Sequence, residues 1–316
     1  RRPHLAVSQP PDAHPNRWLA HRPLGLTRDG GLDLPFDVLD DPHTLRVAAQ
    51  APAGSPLAAH VRVGAPLGLL GIQPHTRRRN RMNGSVIRAG EAGFDVEVEQ
   101  SFGNCPKYIR TREAFFFGDD EPPAIAQPLP ALDDAARALI GRADTLFIAS
   151  AHAAGVDVSH RGGDPGFVTV GPDDLLTLPD YAGNFFFNTL GNLLLEPRAG
   201  LLFIDFENQK RMRLNGEATL HRDDALLPEY PEAQFIVRVR VREVFANCPR
   251  YIHRYQRVDR SRYVPRADCE TPLAEWKRID LVQDVLPPAD AARAQAAGTL
   301  AIEEWMEKVK TGHPEA

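Results

Sequence analysis

The pattern of apolar and polar positions predicts a chain built mainly from short antiparallel strands. Apolar or alternating segments recur between Gly, Pro, Asn and Asp turn signals, most clearly in the second half. Strands are predicted over 145–150, 156–160, 166–170, 175–179, 201–206, 210–220 and 234–245. Helical spacing is confined to 133–143, 184–195 and 289–310. This pattern favours a mainly β fold, a small β-barrel with a few helices, over a parallel α/β sheet.

An internal repeat organises the chain. Residues 68–84 (GLLGIQPHTRRRNRMNG) and 200–216 (GLLFIDFENQKRMRLNG) are identical at 8 of 17 positions. Residues 101–110 and 244–253 are identical at 6 of 10 positions and share Asn-Cys-Pro. Because order and spacing are kept, we predict two tandem domains.

The repeat and the composition divide the chain into five parts. The segment 119–131 holds four prolines and three acidic residues, which is typical of an extended linker. The predicted parts are an irregular N-terminal arm (1–37), a first unit (38–118), the Pro-rich linker (119–131), a second unit (132–260) and a C-terminal wrap and helix (261–316).

Composition excludes several classes of protein. The net charge of −5 over 316 residues argues against a general nucleic-acid binder. No apolar run is long enough to cross a membrane. Three cysteines without a CxxC pair fit a reducing cytoplasm, and the scattered histidines predict no metal site. We therefore expect a cytoplasmic protein without nucleic-acid or membrane partners.

Two polar clusters in the second unit are candidate ligand sites. Residues 159–166 (SHRGGDPG) follow a strand, and their glycines would let backbone N–H groups approach an anion beside Arg161. Residues 180–184 (DYAGN) precede a helix, whose N-terminus can hold a phosphate. The alternatives are a plain tight turn and a simple helix cap by Asp180 or Asn184. Neither a Walker lysine nor GxGxxG is present.

Basic residues recur at matched positions of the repeat. Strand alternation places Arg211 and Arg213 on one face, and Arg79 and Arg81 are their equivalents. This face is either a solvated surface or an electropositive wall for an anionic cofactor. The cysteines of the two Asn-Cys-Pro segments are interpreted as buried packing, with redox activity as the alternative.

Taken together, segments 147–170, 178–205 and 211–220 resemble the FMN-binding split β-barrel family related to pyridoxamine 5′-phosphate oxidase. The motifs that carry the resemblance are SHRGGDPGF, PDYAGN and NLLLEPRAGLLF. They are most similar to the flavin-nucleotide-binding branch of that family. The resemblance is strong over about 130–255 and weaker over about 40–117.

The resemblance implies two tandem split β-barrel units, the first degenerate, with FMN bound at a barrel–barrel interface. It implies an FMN-dependent oxidoreductase that transfers electrons or hydride between the flavin and a small-molecule substrate or electron donor. The cofactor-binding residues carried over from it are Val158, Ser159, His160, Arg161, Gly162, Asn184, Asn188, Thr189, Lys210 and Arg211.

One departure from the family affects charge. Where the oxidase has a basic phosphate clamp, this chain reads Phe187-Asn188-Thr189, so Arg161 is expected to carry the charge, with Lys210 as a second candidate. The first unit shows no counterpart of SHRGG or DYxGN. We therefore expect one flavin site per chain, within an intrachain pseudo-dimer to which Arg77, Arg79 and Arg81 contribute. A homodimer is a further option.

Three alternatives remain open. The first is a non-catalytic flavin or haem binder, with His152, His160 and His253 as candidate axial ligands. The second is a deazaflavin-dependent reductase on the same fold. The third is an interaction domain that has lost its ligand. No residue stands out as a general acid or base.

Overall fold

The computed structural model describes residues 43–48, 58–103, 105–115, 127–247, 254–311 and 313, together with the backbone of five short strands between residues 4 and 38. Asn104, Cys248, His253 and most of the predicted linker lie outside the described residues. Strands dominate the secondary structure, which confirms the mainly β fold class.

Nineteen strands and four α-helices are described. The strands are β1 His4–Ser8, β2 Ala20–Pro23, β3 Gly25–Leu26, β4 Leu32–Asp33, β5 Phe36–Val38, β6 Thr44–Val47, β7 Pro66–Gln73, β8 Arg78–Gly90, β9 Gly93–Gly103, β10 Thr111–Phe115, β11 Gln127–Leu129, β12 Thr145–His152, β13 Gly155–Gly162, β14 Thr169–Val170, β15 Leu175–Tyr181, β16 Arg198–Asp205, β17 Lys210–His221, β18 Ala233–Asn247 and β19 Arg254–Asp259. The helices are α1 Asp134–Arg142, α2 Asn188–Leu195, α3 Pro288–Ala297 and α4 Ile302–Thr311. Single 3₁₀ turns cover Pro172–Asp174, Leu227–Glu229, Glu275–Arg278 and Asp280–Val285.

Two antiparallel sheets share one strand order. The first sheet runs β2-β1-β7-β8-β9-β6-β5, and the second runs β13-β12-β16-β17-β18-β15-β14 with β11 added beside β18. A separate ladder pairs β10, which follows the first sheet, with β19, which follows the second. Each strand of the first sheet therefore has a topological equivalent in the second.

The two sheets also share a β-bulge. The register of β8 against β9 shifts between Asn83 and Gly84, and that of β17 against β18 shifts between Asn215 and Gly216, 132 positions later. At both bulges the glycine lies against the neighbouring strand. A Cβ on Gly84 would stand 1.9 Å from a backbone carbonyl oxygen, and one on Gly216 would stand 2.5 Å from another. These glycines are required by close backbone approach.

An apolar core joins the two units. Leu70 and Ile72 of β7 pack with Phe147 of β12, Val158 of β13 and Leu202 of β16, and all five are at most 4% exposed. Each sheet also has a core of its own. Because the shared core contains large apolar side chains from both units, separating the units would expose it to water.

The two ends of the chain differ from the sequence-based prediction. Strands lie within the predicted irregular arm, and β1 and β2 extend the first sheet beyond β7. Their pattern is hidden by proline, which an edge strand such as β2 tolerates. The single helix predicted over 289–310 is two helices, because Gly298 takes a positive φ of 83° and Leu300 bridges to Ile279.

None of the helices in the described part of the chain has the length and apolar character needed to span a membrane.

We expect Gly84→Ala to lower the free energy of unfolding by about 2 kcal/mol, because its Cβ would overlap backbone that cannot move without breaking the bulge. Gly71→Ala is the matched control, since a Cβ at Gly71 of β7 meets nothing within 4 Å. Urea unfolding of both variants measures the difference. Equal stability of the two variants would contradict the assigned register.

Candidate functional site

A cleft lies where the second unit meets the first. It spans about 660 Å³ of space, a large part of which is open to solvent. β13, β15, the loop 181–187 and the start of α2 form one side, and β8 with Tyr108 forms the other. The lining residues are Arg79, Arg81, Tyr108, Ser159, His160, Arg161, Gly162, Pro179, Asp180, Tyr181, Gly183, Asn184, Phe185, Phe187, Asn188, Thr189, Leu190 and Gln234.

Gly162 allows the two units to meet closely at the cleft. A Cβ on this residue would stand 2.1 Å from the carbonyl oxygen of Tyr108 in the first unit. Tyr108 has a positive φ of 66°, and its hydroxyl donates to the carbonyl oxygen of Ala182 at 2.8 Å. Its ring lies 5.4 Å from that of Tyr181. The segment after β9 is therefore fixed against the second unit by a glycine and a tyrosine.

A buried carboxylate connects both walls. Arg81 Nη1 donates to Oδ1 and Oδ2 of Asp157 at 2.9 Å each, and Thr189 Oγ1 donates to Oδ2 at 2.8 Å. The side chain of Asp157 is 2% exposed and that of Arg81 is 10% exposed. A single carboxylate thus holds the first unit, strand β13 and the first turn of α2 in one arrangement.

Arg161, expected to carry the charge for an anion, is paired within its own unit. Its Nη1 contacts Oδ1 of Asp180 on β15. Burial raises the pKa of the Asp180 carboxyl, although Arg161 acts in the opposite direction. Asp180 therefore neutralises Arg161 and does not cap a helix. The expectation that Arg161 supplies the cleft's uncompensated charge needs correction.

The uncompensated cation is Arg79, from the first unit. Its Nη1 donates to His160 Nδ1 at 2.9 Å and to the His160 carbonyl oxygen at 3.4 Å. No carboxylate among the described residues forms an ion pair with Arg79, and its Nε is buried without a hydrogen-bond partner. Burial, followed by the charges of Arg81 and Arg161, lowers the pKa of Arg79 to about 9. It is still cationic at neutral pH.

The loop before α2 carries a second unpartnered donor. Asn184 Nδ2 is buried without a partner, while Asn184 Oδ1 accepts from the backbone N–H of Phe186 at 3.4 Å. Phe185 and Phe187 both have positive φ, 62° and 52°. The helix predicted to start at Asn184 therefore begins at Asn188, with no side-chain cap on its first N–H groups.

The structure brings seven of the ten predicted cofactor residues to this cleft: Ser159, His160, Arg161, Gly162, Asn184, Asn188 and Thr189. Val158 lies in the core between the units and is fully buried. Lys210 and Arg211 are at the start of β17, away from the cleft. Lys210 and Arg211 do not reach the cleft because the basic strand that faces β13 is β8 of the first unit and not β17.

The first sheet has a strand, β2, that is equivalent to β13 but lies outside the sequence repeat. Leu5 of β1 pairs with Arg22 of β2, just as Leu146 of β12 pairs with Arg161 of β13. The Ala-His-Arg-Pro of β2 thus occupies the backbone position of Ser-His-Arg-Gly, although β2 lies before the predicted first unit, within residues 1–37. Only two residues match, too few to detect without the register.

The remaining histidine and cysteine candidates lie elsewhere. His152 is the last residue of β12, and its Nδ1 accepts from the backbone N–H of Ala154 at 3.1 Å. Cys105 is buried against Tyr263 and Ala274, as the packing interpretation expects. His253 and Cys248 lie outside the described residues.

Comparisons with known proteins find a family match for the second unit. Residues 132–266, somewhat under half of the chain, match the family model of pyridoxamine 5′-phosphate oxidase. Residues 132–266 are therefore similar to the domain of pyridoxamine 5′-phosphate oxidase. No curated protein matches the chain.

Solved structures match at low similarity. HupZ of Group A Streptococcus is 14% identical, with 35% of this chain and 89% of that chain covered and a TM-score of 0.29. A candidate pyridoxamine 5′-phosphate oxidase from Lactobacillus delbrueckii is 19% identical, with 38% and 98% covered and a TM-score of 0.31. One from Corynebacterium glutamicum is 12% identical, with 40% and 93% covered and a TM-score of 0.27.

We expect Asp157→Asn to lower the free energy of unfolding by about 3 kcal/mol, because Arg81 would stay buried without its counter-charge. Glu217→Gln is the control, since the Glu217–Arg242 pair has the same 2.8–2.9 Å geometry but both side chains are about half exposed. That variant should lose less than about 1 kcal/mol. Urea unfolding distinguishes them, and a loss at Asp157 no larger than at Glu217 would remove its bridging role.

Proposed function

We propose that the cleft binds FMN and that the protein is a flavin-dependent oxidoreductase. The observation that carries the proposal is a pair of buried, unpartnered donors, Arg79 Nε and Asn184 Nδ2, in one cleft beside an uncapped helix N-terminus. Buried donors without acceptors are costly, so a ligand that supplies acceptor oxygens would satisfy them. The match of residues 132–266 to pyridoxamine 5′-phosphate oxidase supports the choice of a flavin.

The charges of the cleft suit a phosphate group. Asp157 compensates Arg81 and Asp180 compensates Arg161, which leaves Arg79 as the excess positive charge. The phosphate would be held by Arg79, Asn184 and the N–H groups at the start of α2. The isoalloxazine ring would lie against the aromatic wall of Tyr108 and Tyr181.

When bound, FMN supplies the hydride or electron transfer chemistry, and the protein orients the ring and excludes water. The substrate or electron donor would enter through the open side of the cleft.

We also infer that the two sheets arose by duplication of one unit, so that a single chain forms the interface that would otherwise need two. The shared strand order, the shared bulge and the repeat at offset 132 support this. Because Arg79 and Tyr108 come from the first unit, the proposal requires both units and gives one FMN per complete cleft.

We expect Arg79→Met to weaken FMN binding by roughly 10- to 100-fold, the loss that follows removal of one charge-assisted contact. The measurement is fluorescence quenching of FMN titrated with the full chain at fixed ionic strength. Arg211→Met is the matched control, since Arg211 occupies the equivalent register on β17 and lies outside the cleft.

The outcomes separate the alternatives. FMN bound at one per chain, sensitive to Arg79 and insensitive to Arg211, supports the proposal. Equal effects of the two variants would place the flavin elsewhere. Preferential binding of haem or of a deazaflavin would assign the cleft to that ligand in place of FMN. If the chain binds none of the three ligands, the interaction-domain alternative is favoured.

A further inference from the structure

The imidazole of His160 is held from across the unit boundary. Arg79 Nη1 stands 2.9 Å from His160 Nδ1. A guanidinium has hydrogen-bond donors only, so Nδ1 must be the acceptor in this contact. A neutral imidazole with one accepting nitrogen carries its proton on the other, which here is Nε2.

We propose that Arg79 is a positioning residue that fixes His160 as the neutral Nε2–H tautomer, so that His160 presents a hydrogen-bond donor, and not a cation, to the ligand of the cleft. The part that concerns the ligand rests on the proposed function. The part that concerns the tautomer holds for the protein alone.

The surroundings of His160 favour the neutral form. The charged groups that act on it most strongly are four arginines: Arg79 and Arg81 of β8, Arg161 of its own strand and Arg112 of β10. Its ring meets the ring of Phe147 edge-on at 5.8 Å. Burial is the largest cause and the arginines add to it, so the pKa of His160 is well below its usual value.

Within the part of the chain that the structure describes, Nε2 has no hydrogen-bond partner, although His160 lines the cleft. A ligand that matches this wall carries an acceptor, a carbonyl oxygen or an unprotonated ring nitrogen, close to its anionic group. A conjugated heteroaromatic carbonyl compound with a phosphate has this chemistry.

The tautomer is measured directly by ¹⁵N NMR of the ligand-free full chain labelled at histidine, with the His160 signals assigned by their loss in His160→Gln. We expect a single Nε2–H tautomer in the unmodified protein, with no titration near the usual histidine pKa of about 6.5. Arg79→Met should move the signals towards a mixture of tautomers or towards the protonated ring. Arg211→Met should leave them in place, and thermal unfolding verifies that each variant is folded.

Two results would overturn the tautomer assignment. The first is a mixture of tautomers at His160, or a titration of His160 near pH 6.5, in the unmodified protein. This result needs no variant. The other is a folded Arg79→Met whose His160 signals are unchanged.

A second measurement tests the donor role. His160→Gln keeps an amide N–H of similar reach, so FMN affinity should stay within about 3-fold of the unmodified protein, whereas His160→Leu should lose about 10-fold or more. Equal affinity of the Leu and Gln variants would remove the donor role. Failure of the unmodified chain to bind FMN would instead refute the proposed function and the ligand part together, and leave the tautomer result standing.

Discussion

The contact on which the cleft depends is the buried ion pair between Arg81 and Asp157. An arginine and an aspartate removed from water are tolerated only when they satisfy each other, so each unit carries half of a pair that is costly without the other half. Thr189 donates to the same carboxylate, which brings the first turn of α2 into the arrangement. The apolar core behind it supplies affinity between the units, while the ion pair fixes their register.

The electrostatics of the cleft follow from counting paired charges. Arg81 and Arg161 each have a buried carboxylate, and Arg79 has a neutral imidazole. The result is a pocket with one excess positive charge, set back from solvent, where Coulomb attraction for an anion is less screened than at the surface. Burial and the neighbouring arginines, Arg79 among them, lower the pKa of His160, so the charge that attracts an anion also favours the neutral imidazole.

Sequence pattern predicted the second unit well, because its strands alternate clearly and its turns carry Gly, Pro and Asp. The ten candidate cofactor residues came from the family resemblance, and the structure brings seven of them to one cleft. Neither the pattern nor the resemblance could assign the roles of the individual arginines. Arg161 and Arg79 are indistinguishable by spacing, since only the fold decides which arginine meets a carboxylate. The strand equivalent to Ser159–Gly162 was missed for a similar reason. Sheet register defines that equivalence, and the two strands share only His and Arg, too few for a detectable sequence match.

The location of both units on one polypeptide has a consequence for the persistence of the cleft. Two separate subunits would part on dilution, and any site between them would be lost with the interface. Units on the same chain instead meet at an effective concentration set by the linker, in the millimolar range for short flexible connections. The cleft between β8 and β13 therefore does not depend on the protein concentration, and each unit contributes different residues to its own side of the site.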